Sequence, residues 1–312
     1  MKNIISISFL LFSLVSFAQN LRLLDSLIKE QKLTFIKDLK YGNKERNNLD
    51  LLLPNSVNKT PLVIYLHSGG YRGGKKENSY KTRNLELVSK ILKVNIAYAT
   101  INYSFLNNDD GLLSSLEDSK KALQFLKFNS EKYNIDKEKI IIWGVSSGAN
   151  SVLWLGLSDD MAEIEGDDLV SAESTKVKGI ISISGAHSFN SENWKRMINM
   201  DDEIFDLMIK GFLKYPGVDV KKWLQNYKDK RYQERIDYYN FMDPTDPPMF
   251  IANYGKMNPK NIFQFNHHPL HAKYLKQRAD SLNIKNIVYA PEIGIVDKSG
   301  KGIFEFIISN LN

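Results

Sequence analysis

The chain reads as an α/β protein, with a mostly parallel sheet flanked by helices in a single domain. Two observations predict this. Apolar runs alternate with segments of helical periodicity, the order that parallel strands and crossover helices produce. The runs "PLVIYLH" (61–67) and "KIIIWGV" (139–145) are apolar without interruption, as strands covered on both faces must be. With 312 residues, 43% hydrophobic and 25% charged, the chain can fill one sizeable core and is neither compositionally disordered nor a membrane bundle.

The elements follow in order. "LDLLLP" (49–54) is a strand stopped by Pro54, "PLVIYLH" a second and "VNIAYATINY" (94–103) a third. In "SLEDSKKALQFLKFNSEKY" (115–133), Leu116, Ala122, Leu123, Leu126 and Tyr133 recur at helical spacing. "KIIIWGV" is the next strand, and "SGANSVLWLGL" reads as a helix. "VKGIISISG" (177–185) and "PPMFIANYG" (247–255) are further strands. A helix over 271–282, a last strand "NIVYA" (286–290) and a closing helix over 302–311 complete the series. Residues 188–242, rich in Trp, Tyr, Lys and Asp, break the rhythm with amphipathic pieces such as "DDEIFDLMIKGFL". They are expected to form a cap-like insertion over the site, the alternative being an excursion on the outer surface.

The first eighteen residues are expected to be a signal peptide. Lys2 is followed by an uncharged apolar stretch and by Ser16-Phe17-Ala18 before Gln19. The stretch is shorter than the roughly 18 apolar residues that argue a spanning helix. The mature chain would start near residue 19, be exported to the periplasm or beyond, and keep no membrane anchor. The chain has no cysteine, which excludes disulfides, a thiol nucleophile and lipidation at an N-terminal cysteine. Its net charge of +6 is spread among acidic residues, a solvated surface rather than a nucleic-acid footprint.

The chemistry centres on Gly144-Val145-Ser146-Ser147-Gly148, a G-x-S-x-G sequence between a buried strand and a helix. That is the strand–turn–helix setting of a nucleophile elbow, in which a sharp turn lifts a serine hydroxyl above the sheet. The Ser147 amide, at the helix start, would then point where an oxyanion forms. "HSGGYRGG" (67–74) also follows a predicted strand and is of the H-G-G-G type, with Ser68 in place of the first glycine. Its Gly69 and Gly70 amides are candidate oxyanion donors alongside Ser147. His67, Tyr71 and His187 are candidates to line the substrate pocket; a side-chain hydrogen bond from His67 would also hold the loop, and His187, after a strand end, could equally pack its own loop. Asp118 is expected to brace the loops near the elbow or to cap its own helix.

In this order, "NNLDLLLP", "PLVIYLHSGGYRGG", "INYSF", the stretch from "LEDSKKAL" to "GVSSGAN", and "DPPMFIANYG" resemble α/β-hydrolases of the carboxylesterase and lipase type. The branch most similar is the feruloyl- and acetylxylan-esterase-like one, over roughly residues 38 to 312 with the 188–242 insertion left unassigned. The resemblance implies an α/β-hydrolase fold with eight strands and an acyl–serine mechanism on esters, with Ser146 as nucleophile and no cofactor. It also implies an acid after "PPMFIANYG" and a histidine after the last strand. Here Asn258 takes the acid's place, and all five histidines (67, 187, 267, 268 and 271) precede that strand. Two of the three triad members are therefore missing from their usual positions.

His267 and His268, just before Pro269 opens a helix, are the stand-in candidates for the base, with Asp297 of the final loop as the acid. Alternatively, both rings simply cap the helix and pack the loop. With His271 they also resemble a metal-ligand cluster, but Pro269 takes the first two off the helix face and no carboxylate neighbours them, so no metal is expected. The acidic run over 158–168 lacks the ligand spacing of a calcium loop. Two functions stay open: a secreted serine hydrolase acting on small-molecule or polysaccharide esters, or a non-catalytic relative that binds a carbohydrate or ester ligand.

Overall fold

The computed structural model describes residues 22–107, 109–198, 219, 229–258 and 262–311. The expected signal peptide and the "DDEIFDLMIKGFL" piece lie outside these residues. Helix α1 spans 22–31. Strands β1 (Thr34–Lys40), β2 (Asn48–Leu53) and β3 (Thr60–Leu66) follow, then α2 (Thr82–Lys93), β4 (Ala97–Ile101) and α3 (Leu113–Phe128). Next come β5 (Ile135–Val145), α4 (Ser147–Leu157), β6 (Gly179–Ile183), α5 (Ser191–Ile198), α6 (Lys230–Ile236) and β7 (Met249–Ala252). Helices α7 (Ile262–Asn266) and α8 (Leu270–Ser281), strands β8 (Asn286–Ala290) and β9 (Ile295–Val296), and α9 (Ile303–Leu311) close the described chain.

The strands form one sheet in the order β1-β2-β4-β3-β5-β6-β7-β8-β9. From β4 across to β8 every pairing is parallel, whereas β1, β2 and β9 join antiparallel. The described sheet thus has nine strands rather than the expected eight, and the two-residue β9 is the shortest of them. This arrangement is an α/β-hydrolase fold.

Both faces of the sheet are covered, and the strands alternate between two cores. On β3, Leu62, Ile64 and Leu66 belong to the core that includes residues of α3, α4 and α8, while Val63 and Tyr65 belong to the one that includes residues of α1, α2 and α9. On β5, Ile140 and Ile142 join the first core, and Ile141 and Trp143 the second. The period of two is invisible in the sequence because both faces are apolar. The end of the 188–242 segment belongs to the first core as well, with Ile236 and Tyr238 fully buried there.

One buried charge cluster ties the sheet edge to the loop after β3. The Lys76 ammonium, 1% exposed, lies 2.6 Å from Asp38, 3.0 Å from Asp50 and 2.9 Å from Glu77. Its backbone is held too, since Lys76 N donates to Asn102 Oδ1 and Lys76 O accepts from Thr100. Asp50 is fully buried, and its nearest cation is this lysine. Lys76→Met should therefore destabilise the fold by about 3–5 kcal/mol, as breaking a buried ion pair does. Urea unfolding would measure it, and a loss below about 1 kcal/mol would show that the cluster is not needed.

Candidate active site

The turn between β5 and α4 is strained at Ser146. Ser146 has φ 55° and ψ −116°, a region that costs of order 1–3 kcal/mol for a residue with a side chain. The flanking glycines explain how the turn closes. A Cβ on Gly144 would stand 2.1 Å from the Gly148 carbonyl oxygen, and one on Gly148 would stand 2.2 Å from that of Leu66. These are backbone atoms that cannot step aside. Ser146 N donates to Ile183 O at 2.8 Å, and Ser146 O accepts from Asn150 N at 3.0 Å. The strained residue is therefore pinned to β6 on one side and to α4 on the other.

The hydroxyl raised by this turn meets one histidine. Ser146 Oγ lies 2.8 Å from His267 Nε2. The two neighbouring imidazoles divide the roles left open above. His267 faces the serine, while His268 is buried, with Nε2 donating to Met257 O and Nδ1 accepting from Leu270 N at the start of α8. Consecutive residues in this turn present opposite directions. Burial lowers the His267 pKa below its usual 6.5, because a charged ring would lose hydration.

Asp297 does not complete a triad in this structure. Strand β9 runs back antiparallel to β8, pairing Ile295 with Ala290 and Val296 with Tyr289. The chain thus turns away from the carboxyl ends of the parallel strands before it reaches Asp297. There the carboxylate accepts from the amide and hydroxyl of Ser299. Asn258 is exposed. Among the described residues no carboxylate bonds to His267, and no three His, Asp or Glu side chains converge as a metal site would require.

The glycine-rich loop after β3 lies against the elbow. Gly70 N donates to Ser147 Oγ at 3.0 Å, so this amide is occupied by a side chain instead of being open to an oxyanion. The Gly69 and Ser147 amides have no such partner among the described residues. Ser147 Oγ also lies 3.1 Å from Tyr103 Oη, which donates to His67 O at 2.6 Å.

None of the three residues expected to line the pocket presents an open surface. His67 is fully buried and stacked on Tyr103 at 4.3 Å between centroids. Its Nδ1 donates to Ser68 O and its Nε2 accepts from Arg46. Burial, reinforced by that guanidinium, pushes the ring down to about 4, and it stays neutral. His67 therefore clasps the loop, as its second expected role required. Tyr71 is 3% exposed, and its hydroxyl donates to Ser147 O at 2.7 Å. His187 is 1% exposed and bonded to His271. All three are internal, with polar atoms bonded to the glycine-rich loop, to α4 and to α8 respectively. Asp118 braces the neighbouring loop by accepting from Ser104 N and from Lys44.

Sequence reasoning missed Arg46, Tyr103 and Asn253. Arg46 donates to Tyr103 O as well as to His67, and a Tyr103 signal lay in "INYSF". Asn253 is 1% exposed and bridges two loops: Nδ2 donates to His268 O, and Oδ1 accepts from Gly255 N.

A strained serine between two glycines, paired with an imidazole at the carboxyl edge of such a sheet, is an arrangement in keeping with the α/β-hydrolase class. Residues 49–259 match the family model described as BD-FAE. The chain belongs to this family of α/β-hydrolase esterases. It is similar to Gut esterase 1 of Caenorhabditis elegans, 28% identical over 38% of this chain and 22% of that protein. It is also similar to a probable isoprenylcysteine alpha-carbonyl methylesterase, ICMEL1, of Arabidopsis thaliana, 27% identical over 49% of this chain and 31% of that one. The match therefore spans less than a third of the length of either relative.

Solved structures share the fold. A truncated carbohydrate esterase from gut microbiota superposes with a TM-score of 0.61 at 18% identity, covering 89% of this chain and 96% of that one. An acetyl ester-xyloside bifunctional hydrolase from Caldicellulosiruptor lactoaceticus gives 0.58 at 15% identity, covering 82% and 84%. Among the described residues no helix is long and apolar enough to cross a membrane.

Proposed function

We propose that this protein is an exported serine esterase that cleaves carboxylic esters, acyl groups on polysaccharides among them. The observation that carries the reading is the 2.8 Å contact between Ser146 Oγ and His267 Nε2, at a serine held in a strained turn. The named activities of the carbohydrate-esterase neighbours support the substrate class, and the residue 1–18 layout supports export.

In this reading Ser146 Oγ attacks the ester carbonyl carbon while its proton passes to His267 Nε2. The oxygen that gains the negative charge accepts from the Gly69 and Ser147 amides. The tetrahedral adduct collapses by breaking the carbon–oxygen bond to the alcohol, which leaves with the proton from His267. Water then attacks the acyl–serine and gives its proton to His267, which returns it to Ser146 as the acid departs. A base must be neutral to act, and burial lowers the His267 pKa. The acid limb of kcat/KM against pH is therefore expected to have its midpoint below 6.5. A limb centred at or above 7 would contradict the assignment.

The deciding experiment is a fluorophosphonate probe on the mature protein, with Ser146→Ala as control. The wild type should label and the variant should not. Absence of wild-type labelling anywhere between about pH 6 and 9 would leave the non-catalytic binding role instead, and the lack of a described carboxylate on His267 is the observation in that role's favour.

A further inference from the structure

Two buried imidazoles lie outside the reaction just described. His187 follows β6 and His271 sits in the first turn of α8, 1% and 0% exposed. Their Nδ1 atoms are 2.9 Å apart, and the His187 amide also points at His271 Nδ1, at 3.3 Å. His271 Nε2 lies 3.2 Å from the Phe265 carbonyl oxygen. A carbonyl only accepts, so His271 carries its proton on Nε2 and offers a bare Nδ1. His187 must then donate from Nδ1. The bonding pattern places the His271 proton on Nε2 and a His187 proton on Nδ1, an arrangement that two neutral rings satisfy.

Burial favours the same state. It pushes His187 down to about 3 and His271 well below its ordinary range. Aromatic rings close the site: Trp194 against His271 at 4.9 Å, and Tyr239 and Tyr274 against His187 at 5.3 and 5.2 Å.

The position of this pair gives it a task. Phe265 is two residues before His267, and its carbonyl accepts from His268 N as well as from His271. On the other side, the chain leading from β6 to His187 also holds the serine: Ile183 O accepts from Ser146 N, and Ala186 N donates to Asn150 of α4. Both members of the Ser146–His267 contact are thus referenced to residues 183–187.

We propose that His271 is a positioning residue whose Nε2 proton holds the Phe265–His267 main chain at a fixed distance from Ser146, while His187 donates to its Nδ1 and so fixes the tautomer that carries that proton. It does through the backbone what no described carboxylate does through the ring. The proposal rests on the reading of His267 as the base.

Two substitutions separate this role from simple packing. His271→Gln can still donate to Phe265 O but loses the acceptor for His187. His271→Asn can still accept from His187 but cannot reach Phe265. The Asn variant should lose about 10- to 100-fold in kcat and in fluorophosphonate labelling rate, with KM changed less, since a displacement of order 1 Å can cost 10²-fold. The Gln variant should recover most of the rate. Equal losses in the two variants, or none in either, would overturn the proposal. If the wild type does not label, it is the esterase reading that fails.

A readout independent of the reaction is the long-range ¹H–¹⁵N spectrum of the histidine rings. The wild type should show His271 protonated on Nε2 and His187 on Nδ1, and the His267 signals should move in the Asn variant but not in the Gln variant. Finding His187 protonated on Nε2, or His267 unmoved by the Asn substitution, would also overturn it.

Discussion

His267→Ala is expected to lower kcat/KM on a short p-nitrophenyl ester by roughly 10³–10⁴-fold, the loss that removal of a general base and its geometry produces. The same change in a Ser146→Ala background should cost little more, because residues that act as one unit are not additive. His268→Ala is the informative contrast. Its ring is turned to Met257 O and the start of α8, so its loss should appear in thermal stability and cost less than about tenfold in rate, as an indirect displacement would. Equal rate losses for the two histidines, or a near-wild-type His267→Ala enzyme, would remove His267 from the reaction.

That contrast marks the limit of what the sequence could say. The sharp serine turn was legible, because G-x-S-x-G between a buried strand and a helix forces one. The central strands were legible from unbroken apolar runs. The choice between His267 and His268 was not, because it depends on which way two adjacent residues point in a loop ahead of Pro269. The distance of Asp297 was equally hidden, since it follows from β9 folding back along β8. Strand β1 escaped because it is a mostly exposed edge strand with a register shift between Ile36 and Leu39, which blurs its alternation. Helix α2 was readable from Leu85, Val88, Ile91 and Leu92, all buried, although it was not among the expected elements. The engagement of the Gly70 amide by Ser147 Oγ is a tertiary contact between segments 77 residues apart, beyond any local pattern.

The second large effect should come from a residue that touches neither substrate nor Ser146. A Cβ on Gly255 would stand 1.7 Å from the His267 carbonyl oxygen and 3.0 Å from Asn253 Oδ1. The nearer atom is backbone, so either the His267 turn or the chain after β7 must move. Gly255→Ala should then lower kcat by about 10²-fold, the order of loss that a 1 Å error in reacting geometry produces. It should also cost about 1–3 kcal/mol of stability through overpacking. Gly166→Ala is the matched control. Its added Cβ would meet its nearest atom at 3.4 Å, in a loop outside the site, and the rate should hold. Asn253 makes the effect specific to His267, because its amide bonds Gly255 N on one side and His268 O on the other. A Gly255→Ala enzyme whose His267 ring signals shift while kcat stays at the wild-type value would mean that the His267 backbone can move without consequence. The contact to Ser146 would then not be the one that turns substrate over.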